Sequence, residues 1–181
     1  KFKKIIPFFK NIKLSLANSA GSFLDNDFHF DMIRPGISLY GGYGNDIIKN
    51  NIKPVIKLKA KVIQIKKILK GETIGYNHNY KTKKTKHVAT IAIGYADGIF
   101  RNLSNKGYAY FKNNKAKFLG NISMDTLVID VSRFYKKIKL GDYVELINSK
   151  NDIEKIAKQV NTVSQNIITS LGHRVKIKYI R

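Results

Sequence analysis

The feature that most constrains the fold is a strict alternation of apolar and lysine residues shortly after Pro54. Every second position is apolar and the positions between are basic: Ile56, Lys57, Leu58, Lys59, Ala60, Lys61 and Val62. Successive side chains of a β-strand point to opposite faces, so this period of two predicts a strand with one buried face and lysines in water. The half of the chain that begins here should therefore be built on a sheet.

The segments that follow continue the β-pattern. Residues 87–96 form a more continuous apolar run, and residues 108–120 predict a hairpin that turns at Asn113–Asn114. Residues 126–132 and 143–147 predict two further strands.

The end of the chain changes character. Ile153, Ile156, Ala157 and Val160 are spaced as one face of a helix, and Asn151 with Glu154 predicts a capping box at its start. A second short helix should end at Gly172, and residues 175–180 predict a last strand. The fold class is therefore mainly β with late helices, α+β.

The first third of the chain is organised differently. Residues 12–17 and 32–40 predict two strands, the second interrupted by Pro35 and Gly36. A glycine-rich polar stretch then predicts a connection. We interpret the chain as an N-terminal remnant over 1–40, a linker over 41–53 and a β-domain over 54–181.

Composition excludes several classes of protein. The chain has no cysteine, which excludes disulfides and thiolate sites, and no apolar run approaches the length of a membrane span. The net charge is +22, but only five of the 34 basic residues are Arg, the residue that reads bases best. Drift of the genome towards A/T-rich codons explains the excess of Lys, Ile and Asn as well as a polyanion partner does, so nucleic acid is not the expected partner. The four histidines lack the spacing of metal ligands, and no metal is predicted.

Several local strings occur in an order that identifies a family. They are ANSA at 17–20, FDMIRPGISLYGG at 30–42, KGETIGYNHNY at 70–80, IAIGYADG at 91–98 and GNISMDTLVIDVS at 120–132. Together they resemble alanine racemase. The resemblance implies a C-terminal β-domain of that type, preceded by the last two strands of a (β/α)8 barrel that carries pyridoxal 5′-phosphate. The other strands and the cofactor-binding lysine are expected to be missing.

The resemblance assigns Tyr76 as a catalytic residue. Racemisation removes the α-proton of an amino acid and returns one to the opposite face, which requires two bases. In the family one base is the cofactor lysine and the other is a tyrosine that reaches the partner subunit's site. A phenol has a pKa of about 10, so positive charge nearby must lower it.

Four residues match positions that contact the cofactor. Arg34 matches the arginine that faces the pyridine nitrogen, and Ser19, Gly36 and Ile37 match the phosphate cradle. A guanidinium does not deprotonate, so the ring nitrogen beside it should stay unprotonated, which suppresses side reactions.

Further matches concern the substrate. Met124 and Asp125 match the pair whose backbone receives the substrate carboxylate, and Tyr95 and Arg101 match residues at the substrate entrance. Gln165 departs from the family pattern: it stands where the family usually carries a tyrosine that helps bind the phosphate and line the entrance.

The resemblance implies a cytoplasmic homodimer that interconverts L- and D-alanine and supplies D-alanine for cell-wall peptidoglycan. This chain by itself should be inactive, as a crop of a longer enzyme or as the product of a split gene. The alternative is a basic β-barrel without enzymatic activity, a dimerisation module or a nucleic-acid-binding module that uses Tyr108, Tyr110 and Phe111.

Overall fold

The computed structural model describes residues 1–44 and 48–180. Residues 45–47 of the predicted 41–53 linker, and Arg181 of the predicted β-domain, lie outside the described residues. The chain forms two compact units, residues 1–53 and residues 54–181.

The second unit is built on a six-stranded antiparallel sheet and a two-stranded ribbon. The strands are β1 (Leu58–Ile68), β2 (Thr73–Ile74), β3 (Tyr80–Lys81), β4 (Lys86–Ile91), β5 (Tyr108–Phe111), β6 (Asn114–Lys117), β7 (Leu127–Asp130) and β8 (Tyr143–Ile147). Their order in the large sheet is β6-β5-β8-β1-β4-β7, and β2 pairs with β3. The mainly β class is confirmed.

Strand β1 holds the large sheet together. Its first half pairs with β8 and its second half with β4, with a register shift between Val62 and Gln64. Leu58, Ala60 and Val62 are buried and the lysines between them are exposed, as the alternation predicts.

The sheet nearly closes into a barrel. Phe118, directly after β6, bridges to Ile129 of β7, and Leu119 N donates to Val128 O at 2.9 Å. The two edges of the sheet therefore meet, which covers backbone groups that an open edge would expose. Phe118 and Ile129 lie in the core with almost no exposed surface.

Two helices complete this unit, α2 (Ile153–Val160) and α3 (Ser164–Thr169). The predicted apolar face of α2 is buried, and burial of each Ile or Val side chain on it stabilises the fold by about 1.5–3 kcal/mol. The predicted cap is wrong by one residue. Asp152 caps α2 by accepting from Lys155 N at 2.9 Å, whereas the Asn151 amide donates to Leu146 O at 2.7 Å.

Two other local predictions are wrong. The hairpin turns at Lys112–Asn113, because Asn114 already pairs with Phe111 and Lys112 has the left-handed φ of 54°. Residues 175–180 form no strand, and Ile177, Tyr179 and Ile180 are largely exposed. No strand of the described residues pairs with them.

Short helical turns dominate the first unit. It contains α1 (Phe2–Ile5) and the 3-10 turns Ile6–Phe8, Gly21–Phe23, Asn26–Phe28, Ile37–Tyr40 and Lys49–Asn51. The strands predicted over 12–17 and 32–40 do not form within the described residues, and the end of the second is the Ile37–Tyr40 turn. Residues 31–34 run parallel to residues 14–17, with Asp31 N donating to Leu14 O and Arg34 N to Ala17 O. Two hydrogen bonds without further strands on either side do not make a ladder.

Candidate active site

The site residues predicted from the sequence fall into two clusters, one in each unit. The cluster of the first unit centres on Ser19, which is buried. Its Oγ accepts from Gly36 N at 2.8 Å and from Ser38 N at 3.4 Å. A hydroxyl that accepts twice still has its own proton to donate. The serine thus holds the start of the Ile37–Tyr40 turn and keeps a donor for an anion.

Gly36 and Ile37 leave room and a donor beside this serine. A Cβ built on Gly36 would meet nothing within 4 Å, so packing inside the chain does not require glycine here. Ile37 N donates to no acceptor within residues 1–44 and 48–180. An unpartnered N–H, a free hydroxyl proton and open space beside a glycine fit a phosphate group, which needs several donors at close approach.

Arg34 lies in the same cluster. Its backbone N donates to Ala17 O at 2.8 Å, and its Nε donates to Ser15 Oγ at 2.9 Å. The side chain is exposed, and the bond to Ser15 leaves both terminal nitrogens available. A fixed guanidinium of this kind can face a ring nitrogen and deny it a proton.

Tyr76 stands on a tight turn in the second unit. It begins the 3-10 turn Tyr76–His78, follows Gly75 and has 69% of its surface exposed. Its carbonyl accepts from Asn121 Nδ2 at 3.0 Å, while its neighbour His78 contacts Thr73 Oγ1 through Nδ1 at 2.7 Å. The backbone of Tyr76 is held, and its ring projects into solvent.

Tyr95 and Met124 belong to turns that are bonded to each other. Tyr95 N donates to Ser123 O and Ala96 N to Met124 O, each at 3.0 Å. A Cβ on Gly94 would lie 2.3 Å from Met124 O, so only glycine allows this approach. The N–H groups of Met124 and Asp125 have no acceptor within the described ranges, which fits a backbone that receives a carboxylate.

Arg174 joins these turns through two carboxylates, and it lies outside every motif that the sequence shares with the family. Its Nη2 lies 2.8 Å from Asp125 Oδ1 and its Nε lies 3.1 Å from Asp97 Oδ1. Bonding to Asp125 raises the pKa of Arg174 above its ordinary value. Asp97 is buried and also accepts from Gly94 N at 2.8 Å, so it caps the turn that carries Tyr95.

Residues 120–126, here called the residue-120 segment, contact every turn of the second cluster. Besides the contacts with Tyr76 and Tyr95, Ile122 N donates to Ser104 Oγ at 3.0 Å, and Ser104 Oγ also donates to Arg101 O at 2.6 Å. The structure therefore brings the turns of Tyr76, Tyr95 and Arg101 onto one segment, the segment that contains Met124 and Asp125.

The remaining predicted positions lie elsewhere. Gln165 is exposed at the start of α3, where its carbonyl accepts from Thr169 Oγ1 at 3.1 Å. Tyr110 and Phe111, proposed as base-stacking residues in the alternative, are buried in the core. Tyr108 is half-buried with Lys115 Nζ 3.6 Å from its ring centre. This part of the nucleic-acid alternative is wrong, since a buried ring cannot stack on a base.

The described residues contain neither a candidate metal site nor a candidate membrane-spanning helix. In these ranges no three His, Asp or Glu side chains are grouped so that they could hold a metal ion. No helix of residues 1–44 and 48–180 combines the length and the apolar character of a bilayer-spanning segment.

Comparison with known proteins gives consistent results across the chain. Residues 55–179 match the family model described as alanine racemase, C-terminal domain, and residues 1–44 match the alanine racemase N-terminal domain. Alanine racemase of Brucella ovis is 40% identical over 180 residues, covering 92% of this chain and 46% of the relative. That of Rickettsia canadensis is 40% identical over 182 residues, covering 100% of this chain and 50% of the relative.

Solved structures agree with these matches. The alanine racemase of Bartonella henselae with covalently bound pyridoxal phosphate superposes with a TM-score of 0.89 and 43% identity, covering 99% of this chain and 50% of that one. The biosynthetic alanine racemase of Pseudomonas aeruginosa gives 0.87 and 27% identity, covering 99% and 51%. The chain spans about half the length of the relatives that it matches. Because a family model covers most of its residues, the chain belongs to the alanine racemase family.

Proposed function

We propose that this chain provides one of the two proton-transfer groups, and part of the cofactor and substrate contacts, of an amino-acid racemase that interconverts L- and D-alanine. The observation that carries the proposal is Tyr76, an exposed phenol on a turn whose backbone is held by the residue-120 segment. An exposed ring on a fixed turn can reach reacting atoms outside its own fold.

The residues have separate roles in this proposal. Tyr76 Oη takes or returns the α-proton on one face of the amino acid, and the unpartnered N–H groups of Met124 and Asp125 receive its carboxylate. Tyr95 and Arg101 line the entrance, on turns bonded to the same segment.

Pyridoxal 5′-phosphate is the proposed cofactor, and the Bartonella henselae relative carries it covalently. When bound, it delocalises the negative charge left by removal of the α-proton. Ser19 provides a hydroxyl and Ile37 a backbone N–H for the phosphate, and Gly36, whose own N–H donates to Ser19, leaves the space for it. Arg34 keeps the ring nitrogen unprotonated, which limits the reaction to proton exchange.

The chain alone is proposed to be inactive, because racemisation requires a proton-transfer group on each face and Tyr76 supplies one. The exposure of Tyr76 supports a homodimer in which it acts in the partner subunit's site. The physiological role that follows is a cytoplasmic supply of D-alanine for peptidoglycan.

Complementation tests the proposal. The chain is co-expressed with the part of the Rickettsia canadensis relative that it does not match, and formation of D-alanine from L-alanine is followed by chiral chromatography. We expect activity in the pair, none in either part alone, and a loss of about a hundredfold or more in Tyr76→Phe.

Tyr143→Phe is the matched control, because Tyr143 is also an exposed tyrosine of the second unit. Its activity should equal that of the unchanged pair. Full activity of Tyr76→Phe would remove Tyr76 from the chemistry, and racemisation by the isolated chain would show that both proton-transfer groups lie within it.

A further inference from the structure

The turn that carries Tyr76 has an unusual backbone. Gly75, Asn77 and His78 all have positive φ values, of 79°, 59° and 51°. Non-glycine residues adopt this region at a cost, so consecutive ones need contacts from outside the turn to hold them. The source of those contacts decides where the Tyr76 ring points.

Asn121 supplies contacts at both ends of the turn. Its Nδ2 donates to Tyr76 O at 3.0 Å, and its Oδ1 accepts from Asn79 Nδ2 at 2.7 Å. These residues are more than forty positions away in sequence, so the contacts are tertiary. The Asn121 amide thus bonds both ends of the turn, Tyr76 through its donor and Asn79 through its acceptor.

The backbone of Asn121 is itself fixed against the same turn. A Cβ on Gly75 would lie 2.8 Å from Asn121 N, and a Cβ on Gly120 would lie 2.5 Å from Ile74 O. The two segments pack backbone to backbone at these glycines. In addition, Gly120 N donates to Asn105 Oδ1 at 2.7 Å, which anchors the segment from its far side.

We infer that Asn121 is a positioning residue for Tyr76, acting through the Tyr76 carbonyl. The inference rests on the proposed function, in which Tyr76 moves the proton and must be held at a fixed place. Asn121 touches neither substrate nor cofactor in this role. Its position in the residue-120 segment couples Tyr76 to the backbone of Met124, so that proton transfer and carboxylate binding are placed by one structural element.

Three substitutions separate the two hydrogen bonds of Asn121, the one to Tyr76 O and the one from Asn79. Asn121→Ala removes both bonds. Asn121→Asp keeps the acceptor for Asn79 but replaces the donor to Tyr76 O with a second oxygen. Asn79→Ala removes only the other bond and leaves the contact with Tyr76 in place. Asn166→Ala, on α3, is the control, because it removes one exposed asparagine bond, to Thr162 Oγ1.

Two measurements on the 181-residue chain report on the turn without requiring racemisation. The first is hydrogen exchange of peptides that span residues 75–79. The second is the fluorine NMR spectrum of the chain labelled with 3-fluorotyrosine, whose ten tyrosines include one resonance assigned by its loss in Tyr76→Phe.

We expect Asn121→Asp to speed exchange of residues 75–79 about five- to tenfold, the effect of one lost hydrogen bond, and Asn121→Ala, which loses two, to speed it at least as much. The Tyr76 resonance should shift and sharpen in both, and change less in Asn79→Ala. The other nine resonances and the unfolding midpoint should stay near those of Asn166→Ala.

The inference is overturned if Asn121→Asp leaves the Tyr76 resonance and the exchange of its turn unchanged. It is also overturned if all ten resonances change together, since Asn121 would then support the fold as a whole. Failure of the proposed function is a different result, namely full racemase activity of Tyr76→Phe in the complemented pair.

Discussion

The Arg174 guanidinium lies between two carboxylates, with Nη2 2.8 Å from Asp125 Oδ1 and Nε 3.1 Å from Asp97 Oδ1. Asp97 caps the turn of Tyr95, and Asp125 follows Met124 in the segment that this turn bonds to. Arg174 therefore connects the proposed entrance to the proposed carboxylate site. A planar guanidinium can bond two separate acceptors in this way, whereas an ammonium acts as a single point charge.

Replacement of Arg174 by alanine should loosen residues 123–126 without unfolding the chain. The side chain is about half exposed, and exposed ion pairs contribute little to global stability. Hydrogen exchange of peptides over 94–98 and 123–126 should rise, while the thermal midpoint changes little. Arg174→Lys should resemble the alanine variant, because one ammonium does not reproduce both contacts.

Arg133→Ala is the control for this change, since Arg133 is also exposed. Equal exchange in the Arg174 and Arg133 variants would mean that the backbone hydrogen bonds between the two turns are enough to keep residues 123–126 ordered. Retention of slow exchange in Arg174→Lys would mean that charge alone holds Asp125.

Gly75→Ala should destabilise the chain more than Gly71→Ala. Both glycines have positive φ values, 79° and 90°, so both substitutions carry backbone strain of about 1–3 kcal/mol, and the ψ of 176° at Gly75 belongs to a region that is essentially restricted to glycine. A Cβ at Gly71 meets open space, whereas one at Gly75 would lie 2.8 Å from Asn121 N. In urea titrations the loss of unfolding free energy should be about 1–2 kcal/mol greater for Gly75→Ala than for Gly71→Ala. Equal losses would mean that the residue-120 segment moves away freely.

Local periodicity was enough to predict the sheet and the face of α2. The alternation around Leu58 and the spacing of Ile153, Ile156 and Val160 depend only on which side chains become buried. Caps and turns depend on a single competing contact. Asn151 was predicted to cap α2, but its amide bonds Leu146 O, which leaves the cap to Asp152.

The two strands predicted in the first unit show a different limit. Residues 12–17 have a strand pattern, but a strand forms only where neighbours complete its ladder. An alternating pattern predicts which side chains are buried, but it does not show whether a neighbouring strand is present in the same chain.

The motifs name candidate site residues but not the residues that support them. The structure bonds the turns of Tyr76 and Tyr95 to the segment that contains Met124, and no motif assigns a role to Asn121 or Arg174. Asn121 lies inside the GNISMD string, and Arg174 is one of only five arginines in a lysine-rich chain. In a chain whose composition favours lysine, an arginine indicates a position that uses the planar, directed donors of a guanidinium.

The stability of the second unit should fall in acid through Asp130. Burial alone would raise the pKa of this carboxyl, but hydrogen bonds from Lys86 and Ser132 outweigh it and hold the pKa below its ordinary value. A depressed folded pKa stabilises the fold above the unfolded pKa, and this contribution is lost as the pH falls through the folded value.

Asp130→Asn should therefore flatten the decline in unfolding free energy below about pH 4. At neutral pH the variant should be less stable than the unchanged chain, and the two should converge in acid. Asp25→Asn, at an exposed position of the first unit, should leave the slope as it is. An unchanged slope in Asp130→Asn would mean that other carboxylates govern acid unfolding.

Gly36→Ala should separate cofactor binding from folding. The φ of Gly36 is −121°, and a Cβ there meets nothing within 4 Å, so the unfolding free energy should change by less than about 0.5 kcal/mol. The methyl group would project into the space beside Ser19 that is proposed for the phosphate. Binding of pyridoxal 5′-phosphate by the complemented pair, followed by its visible absorption, should weaken about tenfold or more. Ser19→Ala should weaken it as well, but with a loss of stability, because two backbone N–H groups lose their acceptor. If Gly36→Ala bound the cofactor as tightly as the unchanged pair, the phosphate would have to lie away from this turn, and the assignment of Ile37 would fail with it.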